Sequence, residues 1–320
     1  MWRVLFTLMV IGLCGKATAE TGLLTLQQAV ASALERNPQR KAALAEVRSA
    51  QASIKEARSE YFPRLGFTES VVRSNDPVFV FGARLRQNRF TAADFTLDRL
   101  NTPAPLDNFA TRFGLHWKVF DSFVTESSVR QAVREKAASE QQLARTDQLI
   151  VFQVIQAYYG VLFASRQIEV AEHAVATSQS LLQQSRARFE AGSTVESDYL
   201  AAQVDYASRQ QELVRARNVL ALARAQLNIA MGMDPDREYT TVEPASPQDF
   251  QPPSLTEAEA RALQERPDLK QSSEQVAARE AGVRSAKSAF GPRVNLFAAS
   301  ELDSANVFGN SGSNWTAGAE

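Results

Sequence analysis

Ile150-Val151-Phe152-Gln153-Val154-Ile155-Gln156-Ala157-Tyr158-Tyr159-Gly160-Val161 opens a stripe that decides how this chain folds. Apolar or small residues continue from it at Ala164, Ile168, Ala171, Val175, Ser178, Leu182, Ser185 and Phe189. Counted through Ile150, Val154, Ala157 and Val161, the spacing alternates between four and three without a slip. A second stripe does the same through Val195, Tyr199, Ala202, Tyr206, Arg209, Leu213, Ala216, Leu220, Ala223, Leu227 and Ala230, with only Arg209 out of character. A stripe every 3.5 residues is a coiled-coil seam and implies left-handed supercoiling. Between the two lies Ala191-Gly192-Ser193-Thr194, where glycine can take the positive φ that ends a helix. No proline occurs between Pro105 and Pro235. The spacing therefore predicts an antiparallel helical hairpin over about 122–232, with a first arm of about 65 residues and roughly 100 Å. Helices of ordinary globular domains average only about 11–12 residues.

The chain has 320 residues and a formal net charge of −1, with neither a basic stripe nor an aromatic-interleaved basic cluster. A nucleic-acid partner is thereby excluded. The first residues read as an export signal over 1–19: Arg3, an apolar run from Val4 to Cys14, and a small-x-small site at Ala17-Thr18-Ala19. Its removal leaves a charge of about −3. Cys14 is the only cysteine; the alternative that it is a lipidated first residue has a poor lead-in, because leucine precedes it. Without Cys14 the mature chain has no disulfide and no thiolate chemistry. No apolar run reaches the roughly 20 residues of a membrane helix. The nearest, Leu149–Phe163, is interrupted by Gln153, Gln156 and Gly160 and reads as the most buried part of the hairpin.

Ahead of the hairpin, Thr25 and Gln28 form a capping-box pattern, and helices are expected over 25–61, interrupted at Asn37-Pro38 and ended by Pro63. The period then changes to two, with strands expected over about 64–74 and 108–120. Residues 79–108, with Pro103 and Pro105, read as long and irregular. In the second strand Phe109, Thr111, Phe113, Leu115, Trp117 and Val119 share one face, and Ala110, Arg112, Gly114, His116 and Lys118 the other. Such alternation suits a sheet over a core, and equally a membrane barrel strand with apolar residues to lipid and polar ones to a lumen. Export, and helices too long to cover a small sheet, favour the barrel. Phe109, Phe113, Leu115, Trp117 and Val119 would then face lipid, and Arg112, His116 and Lys118 the lumen.

After a proline-rich linker over 235–253 the chain repeats itself. Shifted by 229 residues, Leu26 falls on Leu255, Ala29 on Ala258, Leu34 on Leu263, Pro38 on Pro267 and Pro63-Arg64 on Pro292-Arg293. A fixed offset with matching punctuation points to internal duplication. The first repeat spans 20–234 and the second begins at 254, with helices over 255–290 and a strand over about 293–302. Because the second copy stops before a hairpin of its own, the natural protein is expected to be about 100 residues longer, by analogy with the first repeat.

In this order the segments resemble the TolC-type outer membrane efflux proteins of Gram-negative bacteria. The resemblance rests on Leu26–Pro38 and Leu255–Pro267, on Tyr61-Phe62-Pro63 and Phe290-Gly291-Pro292, on Trp117-Lys118-Val119-Phe120-Asp121, on Ala157-Tyr158-Tyr159, and on Arg188-Phe189-Glu190-Ala191-Gly192 leading to Asp198-Tyr199-Leu200. It implies a mixed, mostly α fold with long coiled-coil hairpins in a periplasmic helical barrel, and strands in a trimeric outer-membrane β-barrel. It further implies a homotrimer, contact with outer-membrane lipid, and a periplasmic adaptor meeting the tip at Ala191, Gly192, Ser193 and Thr194, with an inner-membrane pump behind it. Substrate would be conducted passively, in efflux or type I secretion. The channel constriction belongs to a second hairpin and has no counterpart in this sequence.

An enzyme is not expected: there is no nucleophile elbow, phosphate-binding glycine loop or metal motif. His173 stands without a second His or Cys at metal spacing and reads as a surface residue. Asp234, Asp236 and Glu238 read as linker charges, and no cofactor is implied. The rival function is an exported coiled-coil scaffold or an adaptor-like protein, against which the repeat argues.

Overall fold

The computed structural model describes residues 22–244 and 252–320; the export signal, Cys14 and the linker segment 245–251 lie outside them. In chain order the elements are β1 (Leu23–Leu24), α1 (Leu26–Arg36), α2 (Pro38–Ser59), β2 (Arg64–Ser74), α3 (Pro77–Arg86), a 3-10 turn (Ala92–Phe95), α4 (Leu97–Asn101), β3 (Leu106–Phe120), α5 (Val124–Glu190), α6 (Glu196–Met231), β4 (Thr240–Thr241), α7 (Leu255–Glu265), α8 (Pro267–Ser288), β5 (Val294–Ser304) and β6 (Gly312–Ala319). One departure from expectation stands out, beside one regularity. The stretch expected to be irregular before β3 carries α3, the 3-10 turn and α4. And α7 and α8 begin and end 229 residues after α1 and α2, a regularity of bounds as well as of sequence.

Two compact units can be described separately. The first comprises Met1–Ala42 with Ala144–Ala258. Its core joins Ala29 and Ala33 of α1 to Ile150, Val154, Tyr158 and Val161 of α5 and to Leu227 and Met231 of α6. Small alanines let α1 approach closely, while large side chains from the hairpin fill the space between. Thr25 caps α1 through the expected capping box. Asn37, ending α1, donates from Nδ2 to the Ala230 carbonyl at 3.0 Å. The Tyr158 hydroxyl, a single donor, lies 2.8 Å from the Leu24 carbonyl oxygen and 2.5 Å from that of Val242, and it accepts from the Val242 N–H at 3.1 Å, so it bridges β1 and the residue that follows β4 in this unit's short parallel sheet.

The stripe positions of α5 are buried or partly covered from Ile150 to Ser185, and those of α6 from Tyr199 to Ala230; Phe189 and Val195 at the tip are exposed. An 18-residue window of α5 has a mean hydropathy of 1.3, apolar enough by length and composition to cross a membrane, yet only 28 % of it is buried. Within Leu149–Phe163, the stretch expected to be the most buried of the hairpin, burial falls on one face. Ile150, Val154, Tyr158 and Val161 are enclosed, whereas Phe152, Tyr159 and Phe163 are exposed. A helix with apolar residues all round has more apolar surface than one neighbouring face can cover.

Burial also shapes this unit's response to pH. The phenol of Tyr239 packs on the core and donates to the Arg224 carbonyl at 3.3 Å, and burial pushes its pKa up to about 12. In the unfolded chain it is about 10. The stabilisation that goes with the neutral phenol is complete below pH 10 and is lost as pH climbs towards 12. Its size is on the order of 2 kcal/mol. Thermal melts from pH 8 to 12 should show wild type losing more stability above pH 10 than Tyr239→Phe; parallel losses would discount the residue.

The second unit comprises Ala43–Leu143 with Glu259–Glu320. Its centre is a four-stranded antiparallel sheet ordered β2-β3-β5-β6. In its helical part, Arg134 of α5 pairs with Glu274 of α8 at 3.0 Å, and Ser128 meets Ser285 at 3.4 Å. Strand turns to helix at Asp121, which accepts from the Thr125 N–H at 2.9 Å. Ser122 and Phe123 both take positive φ there, of 55° and 70°. Left-handed backbone costs roughly 1–2 kcal/mol at a residue other than glycine. The Ser122 hydroxyl holds the bend by donating to the Pro292 carbonyl at 2.6 Å.

Candidate functional site

Cross-strand register sorts the sheet into two faces. Phe109 stands opposite Val71, Phe113 opposite Phe67, Leu115 opposite Leu65 and Trp117 opposite Leu296. Ser300 of β5, paired with Phe113, brings Trp315 of β6 onto the same side. This face is apolar and uncovered: Leu65 is 82 % exposed, Phe67 57 %, Phe113 53 % and Trp315 81 %. The Phe67 and Phe113 rings pack at 5.2 Å, and the Trp117 indole N–H donates to the Tyr61 carbonyl at 3.0 Å. One expected member departs. Val119 has no partner in β5, because the register shifts between Lys118 and Phe120. It is the extra residue of a β-bulge, so the two-residue alternation that assigned it to the apolar face ends at Lys118.

Two polar pairs stand on this face: Arg73 with Asp107 at its end, 3.2 Å apart, and a second pair within it. Thr111 and Glu69 stand opposite each other, and the Thr111 hydroxyl donates to Glu69 Oε2 at 2.5 Å. The alternation in β2 hid Glu69, since one residue out of period carries little weight against its neighbours.

The other face carries Arg112, His116 and Lys118. Arg112 aligns with Thr68 and Glu301 and His116 with Arg64 and Phe297, while Lys118 aligns with Asn295. Arg112 reaches Glu301 at 3.7 Å. Lys118 donates to Glu60 at 2.9 Å, and Arg64 pairs with the same carboxylate. The hydrogen bond from Lys118, with Arg64 beside it, holds the Glu60 carboxyl below its usual range. Arg112, His116 and Lys118 thus share one polar face at successive heights.

The tip belongs to the other unit. Gly192 has φ +71°. Its N–H donates to the Phe189 carbonyl, and that of Ser193 to Arg188, both at 2.9 Å, the paired pattern that closes a helix on a left-handed glycine. Below the turn Phe189 and Tyr199 stack at 5.7 Å, and Thr194 donates to Asp198 at 2.7 Å. Ala191, Gly192 and Ser193 are exposed, and no atom lies within 4 Å of where a Gly192 side chain would begin. The loop is closed by its own hydrogen bonds and presents a bare outer surface.

The family model described as outer membrane efflux protein matches residues 29–233, well over half of the chain. This chain belongs to that family. It is an outer-membrane efflux protein of the TolC type, of the Gram-negative outer membrane, with a large periplasmic part. Among curated proteins it is similar to the alkaline protease secretion protein AprF of Pseudomonas aeruginosa, 26 % identical over 273 residues, which are 83 % of this chain and 53 % of that one. The chain therefore spans about half the length of that relative. Among solved structures it is similar to the Campylobacter jejuni CmeC outer membrane channel, with a TM-score of 0.74 and 18 % identity over 92 % of this chain and 60 % of that one. It also matches CusC, with a TM-score of 0.71 and 18 % identity over 92 % of this chain and 64 % of that one. At these identities the structures show the fold: a mostly helical protein with a strand region.

Proposed function

We propose that this efflux protein is one protomer of a trimeric outer-membrane channel that conducts cargo passively from a periplasmic adaptor and an inner-membrane pump to the exterior. The observation that carries this is the two-faced sheet. A four-stranded sheet with a broad bare apolar face would be a liability in water, and it is the lipid-facing wall of a barrel in a bilayer. Among the described residues the sheet edges β2 and β6 are unpaired, which supports closure with neighbouring copies, because a membrane sheet must satisfy its edge hydrogen bonds. Phe109, Phe113, Leu115 and Trp117 then face lipid, and Arg112, His116 and Lys118 the lumen. Exposed Phe152, Tyr159 and Phe163 on α5 supply apolar surface for helix contacts between copies.

The 229-residue spacing of α1 and α2 from α7 and α8 supports internal duplication, and the 3.5-residue stripe supports a coiled-coil hairpin. The relative's name, alkaline protease secretion protein, supports polypeptide as a cargo class alongside efflux substrates. Ala191, Gly192, Ser193 and Thr194 serve as the adaptor contact.

Two measurements test this. Purified full-length protein in planar bilayers should give single-channel conductance; a protein recovered only from the soluble periplasm, with no conductance, would overturn the channel. At the tip, Ser193→Arg should reduce adaptor-dependent export several-fold while trimer insertion stays normal. Unimpaired export in that variant would remove the tip from the interface.

A further inference from the structure

The segment joining β2 to β3 is folded rather than loose. Its Phe81, Phe90 and Phe95 rings meet edge to face at 4.9, 5.2 and 6.4 Å. Beside them buried Asp94 accepts from the Thr91 N–H at 2.9 Å, the Thr91 hydroxyl at 2.8 Å and Arg84 at 2.6 Å. Asp76 caps α3 by accepting from the Phe79 N–H at 2.7 Å, with Pro77 in the first turn. The helix buries Val80 and Ala83, and Gln87 just beyond its end is wholly enclosed.

Three features fasten this segment to the polar face of the sheet. Gln87 Nε2 lies 2.7 Å from Asn108 Oδ1, 2.9 Å from the Asp107 carbonyl and 3.2 Å from the Ser304 carbonyl. The network runs on: Asn108 donates to Asp303 at 2.7 Å, and Asn314 donates to the other oxygen of that carboxylate at 3.2 Å. Asp303 is aligned with Ala110 and Gly312, on the face that carries Arg112. Gly312 is the second feature. A Cβ there would stand 1.7 Å from the Arg86 carbonyl oxygen, so the end of α3 lies directly on a position where no side chain fits. The third is Arg86, which pairs with Glu301 at 3.3 Å, the carboxylate that Arg112 also approaches.

We propose that α3 is a strap across the outer mouth of the channel, held against the inner wall by Gln87 and seated on Gly312. The strap rests on the assignment of the polar face to the lumen. Strands β2 and β3 meet α3 at the end of the sheet opposite the helices, where Ser74 aligns with Leu106. A strap on that face reduces the exit cross-section, and three copies in a closed ring do so from three sides. The buried Nε2 contacts make this a built position, since a buried donor is costly to leave unpaired.

The test measures access to a thiol below the strap. In full-length protein carrying Cys14→Ser and His116→Cys, intact cells are treated from outside with a small maleimide and with a long polyethylene-glycol maleimide. The small reagent should label His116→Cys in every background. The polymer should label it slowly, and at least about tenfold faster when Gln87→Ala or Gly312→Ala is added, as expected when a minor open population grows through loss of the network. Equal polymer rates in all three backgrounds, with small-reagent labelling intact, would overturn the strap and leave the lumen assignment standing. No labelling by the small reagent in any background would overturn the lumen assignment, and the strap with it.

Discussion

Gly232→Ala is expected to destabilise the helical unit severely, by at least about 3 kcal/mol, where the chemically identical change at Gly192 costs only about 1–2 kcal/mol. Both glycines have left-handed φ, +69° and +71°. Both end a helix with the same paired bonds; at Gly232 its N–H donates to Ile229 at 2.9 Å and that of Met233 to Asn228 at 2.8 Å. The backbone penalty is therefore shared. What differs is the surroundings. A Cβ on Gly192 meets nothing, whereas on Gly232 it stands 2.9 Å from the carbonyl carbon and oxygen of Arg36 and 3.0 Å from the Asn37 Cα. Those are backbone atoms, which cannot rotate aside. Asn37 is itself pinned to Ala230, so relief means parting the ends of α1 and α6 and disturbing the core around Ala33 and Met231. Thermal unfolding and protease resistance of the two variants, side by side, measure the difference. Equal melting would mean that the α1–α6 junction yields easily, contrary to its burial.

A charge on the apolar face should be the second large effect. Phe113 lies midway along β3 and packs on Phe67. In a bilayer, arginine at the middle of a lipid-facing strand costs roughly 2–4 kcal/mol, and every copy in a ring bears it. Phe113→Arg should therefore deplete the heat-resistant oligomer and the outer-membrane fraction. Arg112→Gln, one residue away on the opposite face, should leave both intact and change only conduction. The comparison controls for disruption of the strand itself. Wild-type insertion of Phe113→Arg would sink the lipid assignment of this face.

Neighbouring residues explain how much could be seen without coordinates. The long helices α5 and α6 were legible because their period is long and uninterrupted: the stripe from Ile150 needs no partner to be recognised, and its covered positions match the written spacing. β3 was legible from alternation, up to the bulge at Val119. The strap was not. Residues 77–101 contain α3 and α4, but helices of ten and five residues give too few turns for a period to emerge, and two nearby prolines pull the reading towards loop. Gln87 is the sharper case. A lone glutamine between arginine and asparagine looks like solvent-facing polarity until Asn108 and Ser304, far along the chain, are brought against it.

What the sequence by itself determined is local and periodic. It set where helices cap and stop, the two faces of β3, the 229-residue spacing of α7 and α8 from α1 and α2, and the membership of a family whose segment order it carries. These follow from backbone sterics and from apolar spacing, which act within a few residues. Tertiary structure alone decided which carbonyls Gln87 reaches, why Gly312 and Gly232 tolerate no side chain, and which face of α5 remains bare. Those are properties of close packing between segments distant in the chain, where a clash or an unpaired buried group depends on tenths of an ångström.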